Sequence, residues 1–162
     1  TKGFNALYGN RIDGVEPAEQ DEVAAANLAA AGTAAEAIGA VVLVEPVSGA
    51  PRYPLKHAKD AAQVIDTVER DHGVSSLRLL ADLYHMQVNG DDVAGALDTY
   101  ADRIGHVQIA DAPGRHEPGT GEINYGFVLR ELDRLGYDGW VGCEYRPLAG
   151  TSQGLGWMAP YR

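Results

Sequence analysis

RLLADLYH (78–85) is a short apolar run that closes on Asp82 and, three residues later, on His85. The same design recurs on either side of it. VVLVEP (41–46) closes on Glu45, HVQIAD (106–111) carries Gln108 and Asp111, and WVGCEY (140–145) carries Glu144. The steps between 45, 82, 108 and 144 are 37, 26 and 36 residues. A strand, a crossover helix and their two loops take ~30 or more residues, so these runs read as successive βα units. Continuous apolar runs of this kind suit parallel strands buried on both faces. In such folds the C-terminal strand ends converge on one site.

The segments between the runs agree with this alternation. GFNALYG (3–9) reads as a first strand, and Glu19 to Ile38 as an Ala-rich helix stopped by Gly39. His57 to Asp71 reads as a helix with Ala61, Val64, Ile65 and Val68 on one face. Residues 92–103 and 125–136 are further helices, the latter capped by Asn124 and ended by Gly136, and 151–158 forms a short last one. APGRHEPGTGE (112–122) is a loop on its glycines and prolines. The expectation is one α/β domain over residues 1–162 with an all-parallel sheet. Two architectures compete, a doubly wound open sheet and part of a (β/α)₈ barrel. A whole barrel typically takes ~250 residues, whereas this chain of 162 supplies five strand segments.

Composition narrows the class of function. The net charge of −10 argues against nucleic-acid partners, because a phosphate backbone is met by a Lys/Arg surface. No apolar run approaches the ~20 residues of a membrane span. The single Cys143 forms no internal disulfide, so a reducing cytoplasm is the expected compartment. An acidic enzyme of small anions needs local positive groups, for which Arg115 and Arg146 are the candidates.

The strand-end residues are hard oxygen donors. Two glutamates, one aspartate and the Gln108 amide carbonyl make a site carrying about −3 when ionised, and Mg²⁺ or Mn²⁺ prefers such ligands. Singly, each is equally a solvated strand end or a cap for the next helix; four at one-per-strand spacing point to a shared metal site. His85 is a substrate contact or a structural histidine. His106, placed at a strand start, reads as structural and at the far face of the sheet, and His57 and His72 as helix-end residues. The GTG at 119–121 reads as a tight turn, since it lacks the Lys-Ser/Thr of a phosphate loop. Cys143 reads as a core thiol, and Trp140 and Trp157 as packing residues.

DLYHMQ (82–87), GHVQIADAPGRHEPGTGEINY (105–125) and GWVGCEYRP (139–147) together resemble the hydroxypyruvate isomerase family and its 2-oxo-tetronate isomerase relatives. These are xylose-isomerase-like TIM barrels, and the resemblance runs from about Gly3 to Arg162. It implies interconversion of hydroxypyruvate and tartronate semialdehyde, a small hydroxy/oxo acid isomerisation. By that resemblance Glu45, Asp82, Gln108 and Glu144 hold the metal. Glu45 and Glu144 move a proton through an enediolate, and His85 and Arg115 contact the substrate. Glu117 is placed to orient His85 or Arg115. The resemblance also implies that the chain corresponds to the fourth to eighth barrel strands, a partial barrel with open edges. A truncated piece, or a homo-oligomer in which another copy covers the gap, is therefore expected. A catalytically incomplete metal-binding fragment is the alternative. A nuclease of the related endonuclease barrels is disfavoured by the charge and by the lack of His-rich zinc ligands.

Overall fold

The computed structural model describes residues 2–161. Its elements alternate as β1 (Gly3–Asn5), α1 (Pro17–Glu36), β2 (Val41–Val44), α2 (Ala58–His72), β3 (Leu77–Asp82), α3 (Leu83–Asn89), α4 (Val93–Thr99), β4 (Ile104–Ile109), α5 (Tyr125–Arg134) and β5 (Val141–Cys143). A 3₁₀ turn at Ala101–Arg103 leads into β4, and another at Gln153–Tyr161 follows β5. The five strands are all parallel and lie in the order β1-β2-β3-β4-β5. A doubly wound sheet reverses its strand order at a switch point. Uninterrupted sequential order is the winding of a barrel, here the curled part built from five βα steps. Among the described residues, no helix is long and apolar enough to cross a membrane.

The two faces of the sheet separate cleanly. Val42, Val44, Leu77, Leu79, Ala81, Val107 and Ile109 share one core with Leu28, Ala61, Ile65, Val68, Leu97, Val128 and Leu132 of the helices. Leu43 and Leu80 are buried outside that core, which identifies the opposite, inner face. Alternation along each strand then puts Glu45, Asp82 and Gln108 on the inner face at the C-terminal ends.

One irregularity sets this alignment. Between β3 and β4 the register moves from Leu79↔Ile104 to Leu80↔His106, leaving Gly105 as an extra residue. A Cβ there would lie 2.6 Å from Arg78 Cβ and 2.8 Å from Leu43 Cδ2, so only glycine fits the bulge. Beyond it Asp82 pairs with Gln108, and Gln108 with Gly142.

The helix ends follow ordinary capping chemistry. The Asp60 carboxylate accepts the Lys56 and His57 N–H groups at 2.9 Å each, opening α2. Gly73 closes α2 at φ 68°, in the left-handed region that glycine enters without a steric penalty. The Asn124 side chain receives the Phe127 N–H at 3.1 Å and opens α5, as the sequence indicates.

Several expectations need correction. The first strand stops at Asn5 instead of Gly9, because the chain then turns away to reach Gln20 and Tyr53. The helix expected over 92–103 ends at Thr99 and tightens into the 3₁₀ turn. A helix not foreseen, α3, starts directly from the end of β3 because Asp82 is itself its N-cap. His106 is the third residue of β4, not its first. It lies on the inner face, with Nε2 2.9 Å from where a Gly142 Cβ would stand. Cys143 is exposed, and Trp140 is 85 % exposed. Both lie on or beside β5, the edge strand, and β5 pairs with β4 alone.

Candidate metal and proton-transfer site

At the C-terminal strand ends the side chains of Glu45, Asp82, His85 and Glu144 each bring a ligand-capable atom within 4.8 Å of the others. This cluster could hold a metal ion. Gln108 pairs with Asp82 across β3 and β4 on the same face. Two of the oxygens here, Asp82 Oδ2 and Gln108 Oε1, are buried and accept no hydrogen bond. A buried acceptor left without a donor costs about 1–3 kcal/mol, and a cation would satisfy both oxygens. The residues therefore fit a hard divalent ion, which takes carboxylate and carbonyl oxygens.

Each carboxylate is held differently. Asn5 Nδ2 donates to Glu45 Oε2 at 2.7 Å, and the Glu45 carbonyl accepts the Tyr53 hydroxyl at 2.9 Å. Asp82 Oδ1 accepts the Tyr84 and His85 N–H groups at 2.9 and 3.4 Å, which leaves Oδ2 free to face the cluster. Glu144 extends from the edge strand through its own N–H, given to the Ile109 carbonyl at 3.0 Å. Its carboxylate is engaged by Arg115 at 2.5 Å, and Arg115 also stands 3.6 Å from Asp82 Oδ2.

Burial and crowding of like charge set the protonation. Glu45 is pushed up to about 7, first by burial and then by the Asp82 and Glu144 charges, against the pull of the Asn5 hydrogen bond. Glu144 is raised by burial and by its neighbour Asp82, with Arg115 opposing. Asp82 is raised by burial, opposed by the Glu144 carboxyl beside it, by the His85 and Tyr84 N–H groups and by Arg115. His85 is pushed down to about 4 by burial and by the Arg115 charge, so its ring is neutral at pH 7.

The loop after β4 presents Arg115. Asp111, 1 % exposed, accepts four backbone N–H groups, from Ala112, Gly119, Gly121 and Ile123, at 2.9–3.0 Å. The two glycines expected as a tight turn thus wrap an internal carboxylate. Arg115 sits in the left-handed region at φ 57°. A non-glycine residue there costs on the order of 1 kcal/mol or more and persists only where its surroundings impose it. Its N–H donates to the Asp111 carbonyl at 2.8 Å, and its own carbonyl accepts the Arg146 N–H at 2.8 Å. The guanidinium lies 5.0 Å above the Tyr84 ring. Arg146, expected as a second positive group, enters through its backbone: its carbonyl also accepts His116 Nδ1 at 2.6 Å. Glu117 does not orient His85 or Arg115; its carboxylate accepts the Leu148 N–H at 3.0 Å.

The structure thus brings together Glu45, Asp82, His85, Arg115 and Glu144, with Gln108 beside them. Reading the sequence missed Asn5, Ser48, Tyr84 and the role of Asp111. Tyr84 and Asp111 lie within the quoted motifs, but nothing in their spacing marks their partners.

A parallel barrel whose C-terminal strand ends gather three carboxylates, a glutamine, a neutral histidine and an arginine is an enzyme-type barrel with a cation-competent centre. The chain belongs to the xylose isomerase-like TIM barrel family, whose profile matches residues 3–161. It is 47 % identical over 137 residues to the 2-oxo-tetronate isomerase of Cupriavidus necator, covering 83 % of this chain and 51 % of that protein. It is 37 % identical over 163 residues to the hydroxypyruvate isomerase of Escherichia coli K12, covering 99 % and 62 %. The crystal structure of an AP endonuclease, family 2, from Brucella melitensis matches with a TM-score of 0.90 and 34 % identity, over 99 % of this chain and 61 % of that one. The chain therefore spans between half and two thirds of the length of these relatives.

Proposed function

We propose that this chain carries the metal-binding and proton-transfer centre of an isomerase that interconverts hydroxypyruvate and tartronate semialdehyde (2-hydroxy-3-oxopropanoate), with 2-oxo-tetronate-type acids as the nearest other substrates. The observation that carries the reading is the pair of buried unpartnered oxygens, Asp82 Oδ2 and Gln108 Oε1, beside Glu45 and Glu144. Glu45, Asp82, Gln108 and Glu144 would hold Mg²⁺ or Mn²⁺. The ion, when bound, polarises the substrate carbonyl and so acidifies the adjacent C–H.

The chain's own residues supply the remaining chemistry. A glutamate takes a proton from the hydroxymethyl carbon, leaving a cis-enediolate. A proton is then returned to the neighbouring carbon, while the hydroxyl proton moves from one oxygen to the other. Glu45, within the same cluster as Glu144, is placed to accept and return a proton. Glu144 faces it as the second carrier. Arg115 offers a fork that matches the substrate carboxylate, and His85 a neutral ring for a substrate oxygen.

The test is to incubate the chain with hydroxypyruvate and Mg²⁺ or Mn²⁺ in D₂O and follow product and deuterium incorporation by NMR. Glu144→Gln is expected to slow exchange by about 10² or more, the usual weight of a general acid–base; an unchanged rate would overturn the mechanism. A second reading, a metal-binding piece without turnover, is favoured by the chain's spanning about half the length of its relatives. Metal binding without deuterium exchange would establish it. A nuclease reading, prompted by the Brucella structure's description, is countered by the net charge of −10. Incision of abasic duplex DNA would revive it.

A further inference from the structure

We infer that Ser48 is a positioning residue that fixes the His85 proton on Nε2, so that the ring enters the site as a hydrogen-bond donor and is neither a metal ligand nor the base. His85 Nδ1 receives the Ser48 backbone N–H at 3.0 Å, with the Ser48 hydroxyl at 2.7 Å. A backbone N–H only donates, so Nδ1 is an acceptor. The proton of the neutral ring therefore lies on Nε2. Nε2 stands 3.6 Å from Asp82 Oδ2, the carboxylate oxygen without a partner.

This orientation separates His85 from the carboxylates it accompanies. A metal-ligating histidine gives its second ring N–H to a carboxylate or carbonyl. Here the second nitrogen faces a donor instead, and coordination through Nε2 would need an imidazolate. His85 thus drops out of the ligand set although it lies within the 4.8 Å cluster. Ser48 and His85 are both buried, 37 residues apart, and Ser48 follows Glu45 by three in the loop after β2. One loop therefore delivers both a proton carrier and the group that sets the histidine's polarity. On the isomerase reading, the Nε2–H meets the oxygen on which negative charge develops, where a preorganised donor has its largest effect.

The proton's position is measurable whether or not the chain turns over substrate. The ¹⁵N-histidine-labelled chain is observed by long-range ¹H–¹⁵N NMR at pH 7, with and without Mg²⁺, and with His85→Gln for assignment. The expected result is a protonated Nε2 and an unprotonated Nδ1 in both conditions. A protonated Nδ1, or an Nε2 that loses its proton signature on adding Mg²⁺, overturns the inference. Ser48→Ala keeps the backbone donor, so the tautomer is expected to persist while the Nδ1 resonance moves; Ser48→Thr restores the wild-type shift. An Nδ1 resonance unmoved in Ser48→Ala removes the hydroxyl from the assignment. Ser48→Pro lacks the N–H, and is expected to raise the Nδ1–H tautomer by roughly fivefold or more, the weight of one hydrogen bond. A folded Ser48→Pro chain with unchanged tautomers overturns the role of Ser48. If hydroxypyruvate exchange fails but Nε2 is protonated, the isomerase reading alone is lost.

Discussion

Replacing Glu45 by Gln tests the electrostatics of the site through stability alone. The Glu45 carboxyl, ordinarily near 4.5, is pushed up to about 7 in the folded chain. A carboxyl raised on folding stabilises the native state below its unfolded pKa, and this contribution is lost as the pH rises through the folded pKa. Retaining that proton is worth about 2–3 kcal/mol at pH 5 and almost nothing at pH 8. His85 acts in the opposite sense. Its folded pKa of about 4 lies below its ordinary 6.5, so its contribution is gained as the pH rises from 4 to 6.5. The wild-type profile alone therefore blends opposing contributions, and the comparison must be with Glu45→Gln, which keeps shape and removes titration. Urea unfolding followed by circular dichroism, in metal-free buffer at pH 5, 6, 7 and 8, gives both curves. The stability of the wild type relative to the variant is expected to fall by about 2–3 kcal/mol from pH 5 to pH 8. Asp82 and Glu144, which lose a neighbouring charge in the variant, add to the fall. A difference that stays flat or rises with pH refutes the reasoning.

Three further outcomes follow from the same geometry. Mg²⁺ at a hundred times its dissociation constant is expected to add about 2.7 kcal/mol at pH 8. At pH 5.5 it adds much less, because it must displace protons from Glu45 and Glu144; a pH-independent gain in melting temperature would contradict this. Gln108→Leu removes a buried acceptor that has no donor, so the metal-free chain is expected to keep or gain up to about 1 kcal/mol. Its Mg²⁺ affinity, read by calorimetric titration, should fall about tenfold or more. In Gly121→Ala the new Cβ would lie 1.9 Å from the Ala112 carbonyl oxygen. About 1–3 kcal/mol should be lost in urea unfolding, and a wild-type midpoint would show that the loop around Asp111 packs otherwise.

The fold was legible where polar residues interrupt apolar runs. Glu45, Asp82, Gln108 and Glu144 stand at or next to the C-terminal ends of their strands, and their spacing counts whole βα units. Sequence order alone left two architectures open, since a doubly wound sheet alternates in the same way; only the spatial strand order decides. What escaped reading depends on contacts between distant residues. Ser48 meets His85 across 37 residues and Asn5 meets Glu45 across 40, and no local pattern announces either pair. Asp82 misled in another way. Read only as a ligand, it is also the cap that starts α3, so a helix follows β3 directly. Trp140 reads as a packing residue and Cys143 as a core thiol, but their burial depends on what covers an edge strand.

Gly105 and the strand-end carboxylates together answer a question of phase. VVLV in β2 and LRLLA in β3 present apolar side chains to both faces, so hydrophobic burial alone accepts a strand shifted by one residue almost as well as the native one. A shift by one turns every side chain to the opposite face. In β2 it would drive Glu45 into the helix-packed layer, where an unpaired carboxylate costs several kcal/mol. In β3 it would do the same to Asp82. In β4 a one-residue offset is already present, absorbed as the extra residue at Gly105. The residues of this cation-competent cluster are thus also the keys that index the sheet. Their charge forbids the slipped alternatives before any ion or substrate arrives, and a chain stripped of them would keep its hydrophobic layers while losing the reason to stack them in only one way.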